Sequence, residues 1–243
     1  VDPYMAGNGW AFGDSPGCIA DPIHAAQFMH QIYTAADPGY TGRVTVPVLW
    51  DKQTKAIVNN ESSEIIRMLN SEFAAHSNND YDFYPQDLRP EIDAINDRIY
   101  TTVNNGVYKS GFASSQDAYE KAFDDLFQTL DFLDDLLGSQ RYLTGDRITE
   151  ADWRLFPTLI RFDAVYVTHF KCNLRRIDDY ANLSNYLREL YQMPGIADTV
   201  DMYHIKHHYF ASHESINPRR IVAKGPALDY TRPHDRARLG ASS

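Results

Sequence analysis

Cysteine is scarce in this chain: 243 residues carry two, Cys18 and Cys172. Two cysteines so far apart build no disulfide framework and lack the spacing of a metal or redox pair, so a reducing, cytoplasmic compartment is the default expectation. Long hydrophobic runs are missing as well. Charged residues interrupt every apolar stretch short of the roughly 18 residues that span a bilayer, so no membrane segment is expected. Positive charge is in deficit, with 23 Lys and Arg against 33 Asp and Glu and a net charge of -10. That balance argues against a nucleic-acid partner, which needs a basic footprint. The opening residues Val1 to Tyr4 have neither an initiator Met nor the basic start and apolar run of a signal peptide, and they read as a trimmed beginning. No repeat of fixed period is present.

The apolar fraction, 43%, is enough for a substantial core in one or two domains. Residues 1–76 change period often. Ile23 to Tyr33 repeats apolar residues at helical spacing, Val44 to Leu49 and Lys55 to Val58 are short β-branched runs, and Ser62 to Leu69 opens an amphipathic helix. This is an incomplete α/β unit. Residues 77–88 lose periodicity, and Pro85 blocks a helix, so a linker is placed there. Residues 89–212 are helical throughout: Ile92, Ile95, Ile99 and Val103 form one stripe, and Ala118, Ala122, Leu126, Leu130, Leu133 and Leu137 another. Within them, Thr149 and Asp152 have the spacing of a capping box, with Ile148 and Trp153 as its hydrophobic staple, at the start of a central buried helix. Residues 213–243 form a tail with six Lys or Arg against three acidic residues, and its prolines predict an extended segment lying over a folded body, or a partly disordered one, with a plain solvated tail as the alternative.

Chemistry-bearing residues cluster in two places. Pro47 begins a strand, where proline is costly unless it serves a bend or a cis bond, or else marks a strand edge. Glu61 and Ser62 precede a helix whose first N–H groups suit a carboxylate; the structural alternative is a plain N-capping serine. His204, His207, His208 and His213 lie at helical spacings, but no Cys or acidic residue completes a zinc set, so no metal is expected. Polar packing near Tyr209 is the simpler role.

A short α/β unit, a linker and a helical bundle with one capped central helix resemble the two-domain plan of the cytosolic glutathione transferases. The strings at 8–12 (NGWAF), 42–51 (GRVTVPVLWD), 104–113 (NNGVYKSGFA), 161–172 (RFDAVYVTHFKC), 191–195 (YQMPG) and 216–218 (INP) are similar to the xi class, the glutathionyl-hydroquinone reductases. The resemblance implies a thioredoxin-like N-terminal domain, a helical C-terminal domain and a homodimer. It implies glutathione as co-substrate, held by Trp10, Arg43, Val46, Glu61 and Ser62, with Pro47 as the cis-proline that exposes the Val46 backbone. It assigns the hydroquinone to Tyr108, Tyr166 and Tyr209. The family chemistry is thiol exchange. The family's Cys-Pro-Trp-Ala segment is not in these residues. Val1-Asp2-Pro3 resembles the end of the family's second strand, so the nucleophile is expected upstream. Cys18 in a loop and Cys172 beyond the capped helix are poor substitutes, and a catalytically inactive glutathione-binding or scaffold protein is the alternative.

Overall fold

A computed structural model describes residues 1–5, 7–77 and 79–240. The chain divides into two compact units, residues 1–80 with 203–222 and residues 81–202 with 223 onward.

The first unit is α/β. Helix α1 (Met29–Ala36) is followed by strands β1 (Leu49–Asp51) and β2 (Ala56–Asn59), antiparallel with Trp50 opposite Ile57, and by helix α2 (Ser62–Ser71). Its core is Met29, Ile32 and Tyr33, with Trp10, Val44, Val46, Val48 and Ile57 packed on them. Two expectations need correction. The helix predicted from Ile23 starts only at Met29, because the Asp21 carboxylate accepts the N–H groups of Ile23, His24 and Ala26 and Ala25 turns to φ 52°. That local side-chain arrangement competes with a helix. The strand predicted at Val44–Leu49 is displaced to Leu49–Asp51, and the preceding residues form a loop.

The second unit is helical: α3 (Arg89–Ile99), α4 (Gly106–Gly111), α5 (Gln116–Ser139), α6 (Glu150–Arg161), α7 (Val167–His169) and α8 (Ala181–Gln192). Two π-helical turns, Tyr100–Asn104 and Phe162–Tyr166, join α3 to α4 and α6 to α7. The predicted stripes are buried from Ile92 to Val103 and from Ala122 to Leu137, whereas Ala118 is exposed. Ser115 caps α5, its Oγ accepting the Ala118 N–H at 3.2 Å. The capping box forms as read, with the Thr149 N–H 2.8 Å from Asp152 Oδ2. Asp152 does more than cap. Its other oxygen accepts the Leu143 N–H at 3.0 Å and the Tyr186 hydroxyl at 2.6 Å, tying α6 to α8.

Helix α9 (Met202–Ser212) belongs to the first unit rather than to the helical domain. Its polar side chains explain why: His208 Nδ1 lies 3.0 Å from Pro3 O, and Ser212 Oγ accepts the Met5 N–H at 2.9 Å. Periodicity shows that a helix forms and says nothing of what it docks against. The tail also divides. Residues 213–222 join the first unit, and residues 223–240 join the second, where Arg236 is 0% exposed. It is no solvated tail. Arg236 Nη1 donates to Leu137 O at 2.5 Å and Nη2 to Gln140 O at 2.7 Å, placing a cation on the carbonyls at the end of α5.

Candidate functional site

Val46 sits in the loop before β1, joined to Pro47 by a cis peptide bond. Its N–H and C=O make no hydrogen bond among the described residues. A second stretch of unsatisfied polar groups begins α2. Glu61, and not Ser62, is the N-cap: its carboxylate accepts the Ser63 N–H at 3.2 Å and the Ser63 hydroxyl at 3.1 Å. Glu61 therefore satisfies the orphan donor that a capping serine would have taken, and the Ser62 N–H and hydroxyl have no partner among the described residues.

One buried hydroxyl ties these two stretches together. Tyr33 Oη, on α1, donates to Thr45 O at 2.9 Å and accepts from Asn60 Nδ2 at 3.0 Å; the Thr45 N–H approaches it at 3.3 Å. Asn60 Nδ2 also reaches Thr45 Oγ1 at 3.3 Å. The tyrosine thus uses its hydrogen and both lone pairs. Thr45 precedes Val46 and Asn60 precedes Glu61, so the cluster ties the two stretches together. Sequence reading missed all three residues. Tyr33 closes an ordinary apolar stripe, and no local signal marks its hydroxyl.

Arg43 and Trp10 belong to the same unit. The Arg43 carbonyl accepts the Tyr40 hydroxyl at 2.5 Å, while its exposed guanidinium makes no ion pair among the described residues. Gly42 lets that turn close, since a Cβ there would lie 2.6 Å from Tyr40 Oη. Trp10 stacks on His208 of α9, with ring centroids 4.7 Å apart and planes 18° from parallel, and its carbonyl accepts the Met29 N–H at 2.8 Å.

In the second unit Tyr108 on α4 and Tyr166 at the end of the second π turn come together, with ring centroids 6.2 Å apart. Phe170 stacks on Tyr166 at 5.4 Å and touches Tyr108 and Phe112. The pair is unequal. Tyr108 is 39% exposed and Tyr166 is 2% exposed, so Tyr166 is a wall behind the aromatic surface and not part of its face. Tyr209 belongs to the first unit, 5% exposed and edge-on to His208 and His213.

Residues 19–72 match the family model for the glutathione S-transferase N-terminal domain, and residues 116–189 match that for the C-terminal domain. The chain is 55% identical to glutathionyl-hydroquinone reductase YqjG of Escherichia coli over 237 residues, 97% of this chain and 72% of that relative. It is 56% identical to glutathionyl-hydroquinone reductase PcpF of Sphingobium chlorophenolicum, covering 93% of this chain and 72% of PcpF. Among solved structures, the xi-class glutathione transferase of Natrialba magadii superposes with a TM-score of 0.96 at 50% identity, over 98% of this chain and 73% of that one. The chain belongs to the xi-class glutathione transferases.

Its first unit is accordingly the thioredoxin-like domain of a transferase and its second the helical domain. The cysteines of this transferase differ sharply. Cys172 is 0% exposed, and burial pushes its thiol up to about 12. Such a sulfur stays protonated at neutral pH and is no nucleophile. Cys18 is half-buried in a loop, its thiol donating to Val1 O at 3.3 Å, and it does not begin a helix. The histidines of α9 are engaged by backbone carbonyls, His204 with the distant Pro16 O at 2.5 Å and His207 with Tyr203 O, one turn away, at 2.8 Å. Among the described residues no three His, Cys, Asp or Glu side chains are placed to hold a metal.

Proposed function

We propose that this transferase is a glutathionyl-hydroquinone reductase. The observation that carries the reading is the pair of unsatisfied stretches at Val46 and Ser62, locked together through Tyr33, Thr45 and Asn60. An extended peptide backbone at Val46 gains two main-chain hydrogen bonds, the Ser62 N–H and hydroxyl at the head of α2 receive a carboxylate, and Glu61 meets an ammonium. A γ-glutamyl peptide has these groups. Arg43 adds an unpaired positive charge for an anionic ligand, and Trp10 forms the remaining side of the cradle. The structure of the relative YqjG with glutathione bound, which this chain matches at a TM-score of 0.95 and 55% identity, supports the same ligand.

The hydroquinone contact on the second unit is Tyr108, whose ring covers an aromatic face while its hydroxyl polarises a ring oxygen, and Tyr166 backs it. The reaction is a thiol exchange. A thiolate attacks the sulfur of the glutathionylated ring, an S–S bond forms, and the ring carbon takes the electrons of the broken C–S bond with a proton, giving the hydroquinone. A second glutathione then attacks the mixed disulfide, and glutathione disulfide leaves. Neither Cys172 nor Cys18 suits the first step, so the attacking thiol is assigned outside residues 1–243. The same observation favours a second reading, a glutathione-binding body without turnover.

Glutathione titration by calorimetry and reductase assays with glutathionyl-menadiol test both readings, on this chain and on a version extended by the Cys-Pro-Trp-Ala element of the family. Binding in both, with turnover in the extended protein alone, is expected. Turnover by residues 1–243 that a Cys18→Ser change abolishes overturns the placement of the thiol. A homodimer and a reducing, cytoplasmic setting complete the proposal, supported by the family resemblance and by two free thiols. Light scattering checks the dimer.

A further inference from the structure

Within the second unit, α8, the turn Ile177–Asp179 and the tail around Leu228 enclose a cavity of about 140 Å³. On the order of 10–15 Å³ of such space holds one water, so there is room for a small organic molecule. The cavity holds five charged side chains, and four of them are already satisfied. The Asp163 carboxylate accepts the N–H groups of Ile177 at 2.6 Å and Asp178 at 3.0 Å. Asp178 is paired with Arg232. Asp229 accepts the N–H and the hydroxyl of Thr231 at 2.9 and 2.6 Å.

Arg188 is the exception. Its Nη2 donates to Asn185 Oδ1 at 2.7 Å, its buried Nε–H has no hydrogen-bond partner, and its guanidinium makes no ion pair among the described residues. An unpaired buried donor is costly unless something accepts from it. Burial, and then the neighbouring Arg232, pull the Arg188 pKa below the ordinary arginine value, as expected for a cation without a counter-ion. One turn earlier on the same face of α8, Ser184 also lines the cavity, and its hydroxyl has no partner among the described residues.

We propose that this cavity binds a small monocarboxylate with a short apolar body. One carboxylate bridges Arg188 and Ser184, and its hydrocarbon part lies against Leu187 and Leu228. The walls choose among anions. Leu187, Leu228 and Ile177 offer nothing to the remaining oxygens of a phosphate, and Asp163, Asp178 and Asp229 repel a multiply charged ion.

The test is titration of arginine-labelled protein with sodium butyrate, read at the Arg188 Nε–H resonance by NMR, with phosphate and butylammonium as controls. A saturable shift with butyrate alone is expected; affinity falls at least tenfold in Leu228→Phe, which fills the cavity and leaves the charge and its resonance in place, and in Arg188→Gln, where binding is read by calorimetric titration. If Arg188→Gln does not fold, Leu228→Phe decides. No saturable shift, an undiminished response in Leu228→Phe, or an equal response to phosphate overturns the proposal.

Discussion

Asn60 Nδ2 lies 3.0 Å from Tyr33 Oη, and through that contact the start of α2 is tied to the loop that presents Val46. An exposed loop asparagine and a buried helix tyrosine, 27 residues apart in the chain, thereby act as one support for the two stretches proposed to hold glutathione. Asn60→Ala removes this bond and the one to Thr45 Oγ1. At about 1 kcal/mol for a bond of this kind, glutathione affinity falls roughly fivefold or more. Calorimetric titration checks it, and Tyr33→Phe moves in the same direction. An unchanged Kd in both variants would show that the two stretches hold their geometry without the tie.

Gly111 ends α4 directly against Phe170, where a Cβ would stand 2.1 Å from Cδ1 and 2.3 Å from Cγ. Phe170 is fully buried between Tyr166 and its neighbours, so the ring has little room to yield. Gly111→Ala is expected to cost ~1–3 kcal/mol, measured by urea unfolding. Because Phe170 packs against Tyr108, the proposed hydroquinone contact, the same change in the extended protein is expected to raise the KM for the hydroquinone conjugate more than that for glutathione.

The two cysteines respond differently to alkylation. With its thiol pushed up to about 12 by burial, Cys172 stays unmodified by iodoacetamide at pH 8 until the protein is unfolded, while half-buried Cys18 reacts in the native state. Peptide mass spectrometry distinguishes them. Native-state labelling of Cys172 at a rate like that of Cys18 contradicts the burial argument.

Arg236→Ala strips three carbonyls at the end of α5, those of Leu137, Gln140 and Arg141, of their donor and leaves Glu189 without its second arginine. Breaking a buried charged network of this kind costs roughly 3–5 kcal/mol. A urea midpoint within error of the parent protein would mean that the tail contributes nothing to the helical unit.

Asp21 sets an acid limit for the first unit. Burial opposes its ionisation, but the N–H groups of Ile23, Ala26 and His24 outweigh it and hold the carboxyl below its ordinary value of 3.8. A depressed folded-state pKa supplies stability that is complete above 3.8 and fades as pH falls through the folded value. Unfolding curves from pH 6 to pH 2 therefore show a loss of stability below pH 3.8 that Asp21→Asn reduces.

Much of the architecture is legible in the chain itself, because local chemistry decides it. The Thr149–Asp152 box, the apolar stripe from Ala122 to Leu137 and the polar break around Pro85 each depend on residues within a few positions of one another. The order and spacing of Val46-Pro47 and Glu61-Ser62 single out two stretches of the first unit, and their reading as a glutathione site comes from the family resemblance. What tertiary structure decided lies in pairs far apart in sequence. Tyr33 became the support for two loops, Glu61 rather than Ser62 became the helix cap, and α9 docked on residues at the opposite end of the chain. Tyr166 turned inward, and Arg236 reached a carbonyl 99 residues away. Periodicity predicts that an apolar face or a polar residue needs a partner. Only the packed chain supplies that partner, because the free energy of a buried hydroxyl or guanidinium depends on groups the local sequence does not contain.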